Sequence, residues 1–424
     1  MSRTLWRVVL LCWAGILSEG YDVGVMGAIL PSLAAERSWH LSPLQLGALG
    51  SWAIAGMFVG GIAIGTLSDL YGRKRLFAAA LTLFSLAMAG VAWSPTPGWF
   101  ALFRFVGGIG LGGIIPVAAA MTVEYSAVSR RSANYGLMYS GYTLGILVAA
   151  LVARALLAEV GWRGVVAVGV LPLLLAPVAL AVLPESLDYL VARGDGPGAA
   201  ALAARLGYAA PVWEASLARP GWGSTLRAIL APGLRMDTLC FWLAMFMGLL
   251  LVYGLTTWLP QIMRQSGYAL GPALLFLAVF ALSSSIGGIA MGEAADRRGV
   301  RGIVALSFVA GGLAIAALAV KGTMVVTYVL VAVAGYGTVS TSLILTGAMT
   351  GYYPPAIRAA AIGWAMSAAR VGAICGPLLV GVVQQAGGGP GWSFGVFAIA
   401  AFVAAGAVLL IRAPRPALVR GVAE

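Results

Sequence analysis

Long apolar runs, twelve of them in sequence, limit what this chain can fold into more tightly than any other feature. Runs of about 18 or more such residues are each long enough to cross roughly 30 Å of hydrocarbon. There the backbone must satisfy its own hydrogen bonds, which leaves helices and closed barrels. The runs lack the period-two alternation of barrel strands, so they read as helices. Charged residues make up 9% of the 424 positions and hydrophobic ones 61%. Soluble domains run near a quarter charged, so this chain cannot solvate a globular surface. The expectation is an all-α polytopic membrane protein with twelve transmembrane helices.

The spans are read at about 6–30, 45–68, 75–94, 98–122, 135–158 and 163–183, then about 237–263, 271–292, 301–320, 324–348, 358–384 and 391–412. Between the sets lies a stretch rich in Pro, Gly and charge. This gives an N-terminal six-helix bundle over 1–183, a cytoplasmic linker over 184–236 and a C-terminal six-helix bundle over 237–424. The first span carries Glu19 and Asp22 and has no clear small-residue cleavage site, so it reads as a retained helix and not a secretory signal.

A formal charge of +12 raises the question of a nucleic-acid partner, and the location of the charge answers it. Nineteen of the 26 Lys and Arg fall on one side of the spans, five (Arg37, Arg154, Arg163, Arg264, Lys321) on the other, and Arg104 and Arg370 within them. That asymmetry is the positive-inside pattern and places both termini in the cytoplasm. Cys12, Cys240 and Cys375 sit in apolar segments, and with the single His40 they supply neither a metal-ligand spacing nor a nucleophile–base pair. No enzyme activity, cofactor, metal or nucleic acid is expected. His40 falls in the outer loop and reads as solvated.

Gly65-Thr-Leu-Ser-Asp69-Leu-Tyr-Gly72-Arg73 follows the second span, and Gly292-Glu-Ala-Ala-Asp296-Arg-Arg-Gly299 follows the eighth. Two copies at matching places make an internal repeat. They resemble the signature loop G-x-x-x-D-x-x-G-R-[RK] of the major facilitator superfamily. The resemblance extends over nearly the whole chain and implies two six-helix halves about a central cavity, working by alternating access. It implies gating roles for Asp69, Arg73 and Asp296, although Val300 replaces the arginine in the second copy. Charges that only set topology are the alternative. Glu124, at the inner end of the fourth span, is expected to meet Arg73 or Arg131 in the same gate.

Ionisable groups inside a span are expensive and mark function by default. Glu19 and Asp22 are three apart and share a helical face. Asp22 lies about 15 residues, roughly 22 Å, above the inner end of its helix, and Arg104 reaches about the same depth in the fourth span. An acid–Arg104 pair follows, able to serve proton coupling. Desolvation favours the protonated carboxyl and the arginine favours the carboxylate. Either acid could carry the proton, and a permanent structural pair is the alternative. Arg370, near mid-membrane in the eleventh span, has no acid at comparable depth in its half. It reads as a carboxylate-binding group, with pairing to Glu19 or Asp22 as the alternative. Tyr21, Tyr142, Tyr336 and Trp364 are candidate ring contacts for an amphipathic anion.

Arg104-Phe-Val-Gly-Gly-Ile-Gly resembles the superfamily's fourth-helix motif R-x-x-x-G-x-G, where the arginine is linked to proton coupling. Its Gly108 and Gly112 also form a small-xxx-small pair suited to close helix approach. Glu19-Gly-Tyr-Asp22, Gly110-Leu-Gly-Gly113 with Pro116 and Glu124-Tyr125, Gly161-Trp-Arg163, Pro184-Glu-Ser186, and Gly363-Trp364 with Arg370, Gly372 and Gly376-Pro377 are similar to the aromatic acid:proton symporters. The resemblance implies a proton-coupled symporter importing benzoate-like or hydroxybenzoate-like carboxylates across the bacterial inner membrane. The partners are then a small organic anion, protons and the bilayer, with the protein a monomer. Two alternatives are weighed. A proton antiporter exporting small amphipathic compounds would carry a Gly-Pro motif in its fifth helix, which here reads Gly141-Tyr-Thr-Leu-Gly145. A sugar-porter-like facilitator would want several Asn or Gln in its spans, and Asn134 is the chain's single asparagine.

Overall fold

In the computed structural model the described residues are 3–127, 130–206 and 222–412. Among them, eleven helices are long and apolar enough to cross a membrane. One of these, Ala133–Val182, has 50 residues, about 75 Å if straight and therefore two crossings in one. Gly161 makes the division: its φ of 66° and ψ of −179° break the helix, and a positive φ is open to glycine without steric cost. Twelve crossings result.

The helices run α1 (Arg3–Ala34), α2 (Pro43–Tyr71), α3 (Arg73–Ala92), α4 (Pro97–Glu124), α5 (Arg131–Ala167), α6 (Leu175–Val182), α7 (Leu187–Ala192) and α8 (Gly196–Leu206). Then follow α9 (Trp222–Ile229), α10 (Arg235–Gln265), α11 (Leu270–Arg298), α12 (Val300–Ala317), α13 (Met324–Gly335), α14 (Thr341–Tyr352), α15 (Pro355–Gln385) and α16 (Pro390–Leu410). A 3-10 stretch, Val168–Leu174, leads into α6, and a π-helical turn, Tyr336–Ser340, joins α13 to α14.

Two compact units form, one of residues 1–32, 36–40 and 52–218, the other of 33–35, 41–51 and 219–424. The division is less clean than six helices and six. Residues 43–51 of α2 belong to the second unit, where Ser51 Oγ donates to the Ile374 carbonyl at 2.7 Å. Gly47 there lies so near Pro377 that an added Cβ would stand 2.5 Å from its carbonyl oxygen.

Lipid supplies no hydrophobic drive between helices, so contact rests on close packing of small residues. In the first unit, a methyl group on Gly20 would overlap the Tyr142 carbonyl, and one on Gly145 the Leu17 carbonyl. α1 and α5 thus touch backbone to backbone. The same holds for α2 and α4, where Gly108 faces Ala53 and Gly112 faces Met57. In the second unit Gly372 and Gly376 of α15 abut the carbonyls of Phe246 and Leu250 on α10. Gly161-Trp162-Arg163 builds the outer corner of the first unit. Trp162 meets Trp39 and Phe100 edge-on, and Arg163 lies 4.3 Å above the Trp162 ring while donating to the Ser94 carbonyl. Glu36, in the loop beside it, accepts from Ser38 and Trp162, and these bonds hold its carboxyl below the usual range. His40 is exposed in that same loop, with a left-handed φ of 45°.

Candidate functional site

The close α1–α5 contact sets the depth of the acid segment. Gly20 fixes the turn of α1 that carries Glu19 and Asp22 against Tyr142. From it Asp22 reaches Arg104 of α4 in a buried ion pair through Oδ1 and Nη1. The two residues are 2% and 4% exposed. Asp22 Oδ2 and Arg104 Nε are buried with no hydrogen-bond partner among the described residues. The contact is therefore single-pronged and not the two-pronged arginine–carboxylate fork. Glu19, one turn away, is wholly buried. Burying a charge costs several kcal/mol before pairing repays it.

The second unit holds its guanidinium differently. Arg370 Nη1 is buried and has no hydrogen-bond partner among the described residues. No salt bridge to Arg370 occurs there either. Arg370 shares a face of α15 with Ile374, Pro377 and Gly381, at intervals of four, seven and eleven residues. That is the face on which residues 43–51 of α2 pack.

Trp364 is six residues from Arg370, about 120° away round the helix, and it stacks on Trp242 with centroids 6.0 Å apart. Tyr21 is 4% exposed and its hydroxyl donates to the Val165 carbonyl at 2.6 Å. That bond ties α1 to the segment after Gly161. Tyr142 is buried and stacks on Tyr139. Tyr336 opens the π-helical turn, its ring against Gly287. Such turns interrupt helices most often where function requires it. Here Ser284 donates to the Gly335 carbonyl at 3.0 Å and Ser340 to the Ser284 carbonyl at 2.8 Å, bracing the turn.

At the C-terminal end of α4, Glu124 meets Arg73 at 2.6 Å; no ion pair to Arg131 is present among the described residues. Glu124 also accepts from Ser186 Oγ at 2.9 Å and from the Leu187 amide. Glu185 accepts from the Lys74 and Ser186 amides, both at 3.1 Å. Pro184-Glu-Ser186 is thus sewn onto α3 and α4, a role sequence reading missed. The nearness of a Ser N-cap to α7 was the available signal. The side chains of Asp69 and Asp296 lie outside the described residues.

Trp242, whose buried Nε1 has no partner among the described residues, was also missed, because one tryptophan in a span looks like any packing residue. Asp237 is the third omission. Buried at the start of α10, it accepts the Arg412 amide at 2.9 Å, but an acid in a first turn reads as a helix-dipole partner and no more.

The family model described as Major Facilitator Superfamily matches residues 12–348 and 275–423. The benzoate transport protein of Acinetobacter baylyi is 32% identical over 390 residues, 89% of this chain and 83% of that protein. The gallate transporter of Pseudomonas putida is 33% identical over 413 residues, 95% of this chain and 91% of that protein. Among solved structures, an inward open conformation of the xylose transporter XylE from E. coli superposes with a TM-score of 0.76. It is 18% identical and covers 97% of each chain, a likeness of fold.

Proposed function

The chain belongs to the Major Facilitator Superfamily, among its aromatic acid transporters, and from that premise we propose a proton-coupled importer of aromatic carboxylates. It is a multi-pass membrane transporter and not an enzyme. Benzoate-like or hydroxybenzoate-like acids are the substrates, taken up across a bacterial inner membrane with both termini in the cytoplasm. The bundles 1–183 and 237–424, joined by 184–236, alternate access to a site between outside and inside. Arg73, Glu124, Asp69 and Asp296 belong to the inner gate.

The observation that carries this reading is Arg370, a guanidinium inside a span with a buried donor that no described residue satisfies. A buried unsatisfied charged donor is costly, and an incoming carboxylate would satisfy it with two parallel bonds. Glu19, Asp22 and Arg104 supply the proton site. Because the Asp22–Arg104 contact is single-pronged, a proton on the carboxyl releases the arginine without dismantling a fork.

The test is accumulation of labelled benzoate by the purified full chain in proteoliposomes with an inward proton gradient. Accumulation that collapses when the gradient is dissipated supports symport. Exit of the acid against inward protons would make the protein an exporter, and no movement or binding of any aromatic acid would sink the reading.

A further inference from the structure

Three tyrosines on α5 form a stack, of which the sequence reading singled out Tyr142 alone. Tyr135 and Tyr139 lie with centroids 6.1 Å apart at an interplanar angle of 18°, and Tyr139 and Tyr142 at 5.8 Å and 28°. With Arg131 they occupy positions 131, 135, 139 and 142, which fall within about 80° of one another round a helix. The series runs from surface to interior. Tyr135 is 37% exposed and Tyr142 is 3% exposed, about 16 Å further along the axis from Arg131. Each end meets something relevant to an aromatic anion. At the interior end the Tyr142 backbone touches Gly20, inside the Glu19–Asp22 segment. At the other, Arg131 lines a cavity of about 580 Å³ with Ala119, Ala120, Val123 and Glu124. Arg131 Nε is buried there without a hydrogen-bond partner among the described residues. Glu124 is already engaged by Arg73, Ser186 and the Leu187 amide, so the cavity keeps an uncommitted cation.

Spacings of four and three residues bring the rings together on one face of the helix, and the series runs inward from the surface. An interfacial aromatic belt places tyrosines at the membrane–water boundary, which suits Tyr135 but not Tyr142. Near-parallel rings at these separations have the offset-stacked geometry that aromatic pairs favour.

We propose that Arg131 and the Tyr135–Tyr139–Tyr142 stack form a second, inner-side subsite for aromatic carboxylates, a stacking track between the cytoplasm and the buried acid segment. The proposal rests on the transport reading above. Arg131 draws the carboxylate to the mouth, and the ring passes from one tyrosine face to the next, so the substrate is never without a stacking partner on the way in.

The experiment is counterflow exchange in proteoliposomes of the full chain, comparing labelled benzoate with cyclohexanecarboxylate, which has the carboxylate but no π face. Tyr135→Leu/Tyr139→Leu is expected to slow benzoate exchange about five- to tenfold and to leave cyclohexanecarboxylate unchanged. Tyr135→Phe/Tyr139→Phe, which keeps the rings, is expected to stay within about twofold of wild type for both. Arg131→Gln is expected to slow both acids alike. The proposal is overturned if the leucine pair exchanges benzoate at the wild-type rate, if it slows both acids equally, or if the phenylalanine pair fails as the leucine pair does. Should wild type exchange neither acid, the transport reading fails and the track falls with it; should wild type exchange benzoate and the leucine pair match it, the track alone falls.

Discussion

Arg104 and Arg370 are guanidinium groups of the same chain at similar depths in their helices, yet the two units treat them in opposite ways. The first unit spends Arg104 on Asp22, with Glu19 one turn off. The second supplies Arg370 with no such partner among the described residues, and its Nη1 is buried without a hydrogen bond there. A paired cation is finished chemistry until something protonates its acid, whereas an unpaired one waits for an anion to arrive. The difference is what the proposed division of labour rests on, with proton coupling in the first unit and carboxylate capture in the second.

The strongest way to break that division is Arg370→Ala. Truncating one partner of a buried charge pair costs about 2–5 kcal/mol, and every 1.4 kcal/mol is tenfold. Affinity for benzoate should fall roughly 30-fold or more, measured by equilibrium binding, with insertion into the membrane retained. Unchanged affinity would remove Arg370 from the substrate site. Lysine at the same position should recover little, because it offers a point charge where a fork is required.

Asp22→Asn should produce a different kind of loss. Proton-driven accumulation disappears while exchange of substrate down its own gradient persists, read by counterflow against uptake in the same vesicles. The variant also strands Arg104, so a lowered melting temperature is expected, in line with the roughly 3–5 kcal/mol for breaking a buried pair. Full accumulation would move the proton site to Glu19 or elsewhere.

The ion pair was legible in the sequence because depth along a helix is arithmetic: 1.5 Å per residue brings Asp22 and Arg104 to one level. Gly108 and Gly112 were equally readable, since small residues four apart in a span have one common use. Direction round the helix was harder. Trp364 and Arg370 are close in sequence, but six residues put them on different faces of the helix, and the stack of Trp364 on Trp242 has no local signal. The same holds for Tyr21. Its donor was spent on Val165, 144 residues away, and no local pattern announces a bond at that separation. The clamps beyond the membrane helices show the same limit. After its last membrane helix each unit gives a backbone amide to a carboxylate, Leu187 to Glu124 in one and Arg412 to Asp237 in the other. Glu124 stood out at the end of a span among arginines, while Asp237 sat where a helix start ordinarily carries an acid.

Gly20→Val asks whether the first unit's chemistry depends on how closely α1 and α5 approach. A Cβ there meets the Tyr142 backbone and not a flexible side chain, so the helices must part. Overpacking of this kind costs about 1–3 kcal/mol. The expected result is a lower melting temperature and impaired uptake, with benzoate affinity at Arg370 little changed. Gly363, with nothing within 4 Å of an added Cβ, should accept alanine silently and serves as the control. Equal behaviour of the two variants would detach the proton site from the α1–α5 contact.

Tyr21→Phe carries the smallest expected effect and makes the sharpest distinction. If the Tyr21 hydroxyl only ties α1 to the Val165 carbonyl, its removal costs about 0.5–1.5 kcal/mol of stability and leaves substrate affinity alone. The ring keeps its buried position, so packing is preserved, but the Val165 carbonyl loses its donor. A melting temperature lowered by a few degrees with an unchanged benzoate dissociation constant is the outcome that keeps Tyr21 within the scaffold of the coupling half. A weakened affinity with an unchanged melting temperature would instead return Tyr21 to the substrate, and the first unit would then be binding the acid as well as moving the proton.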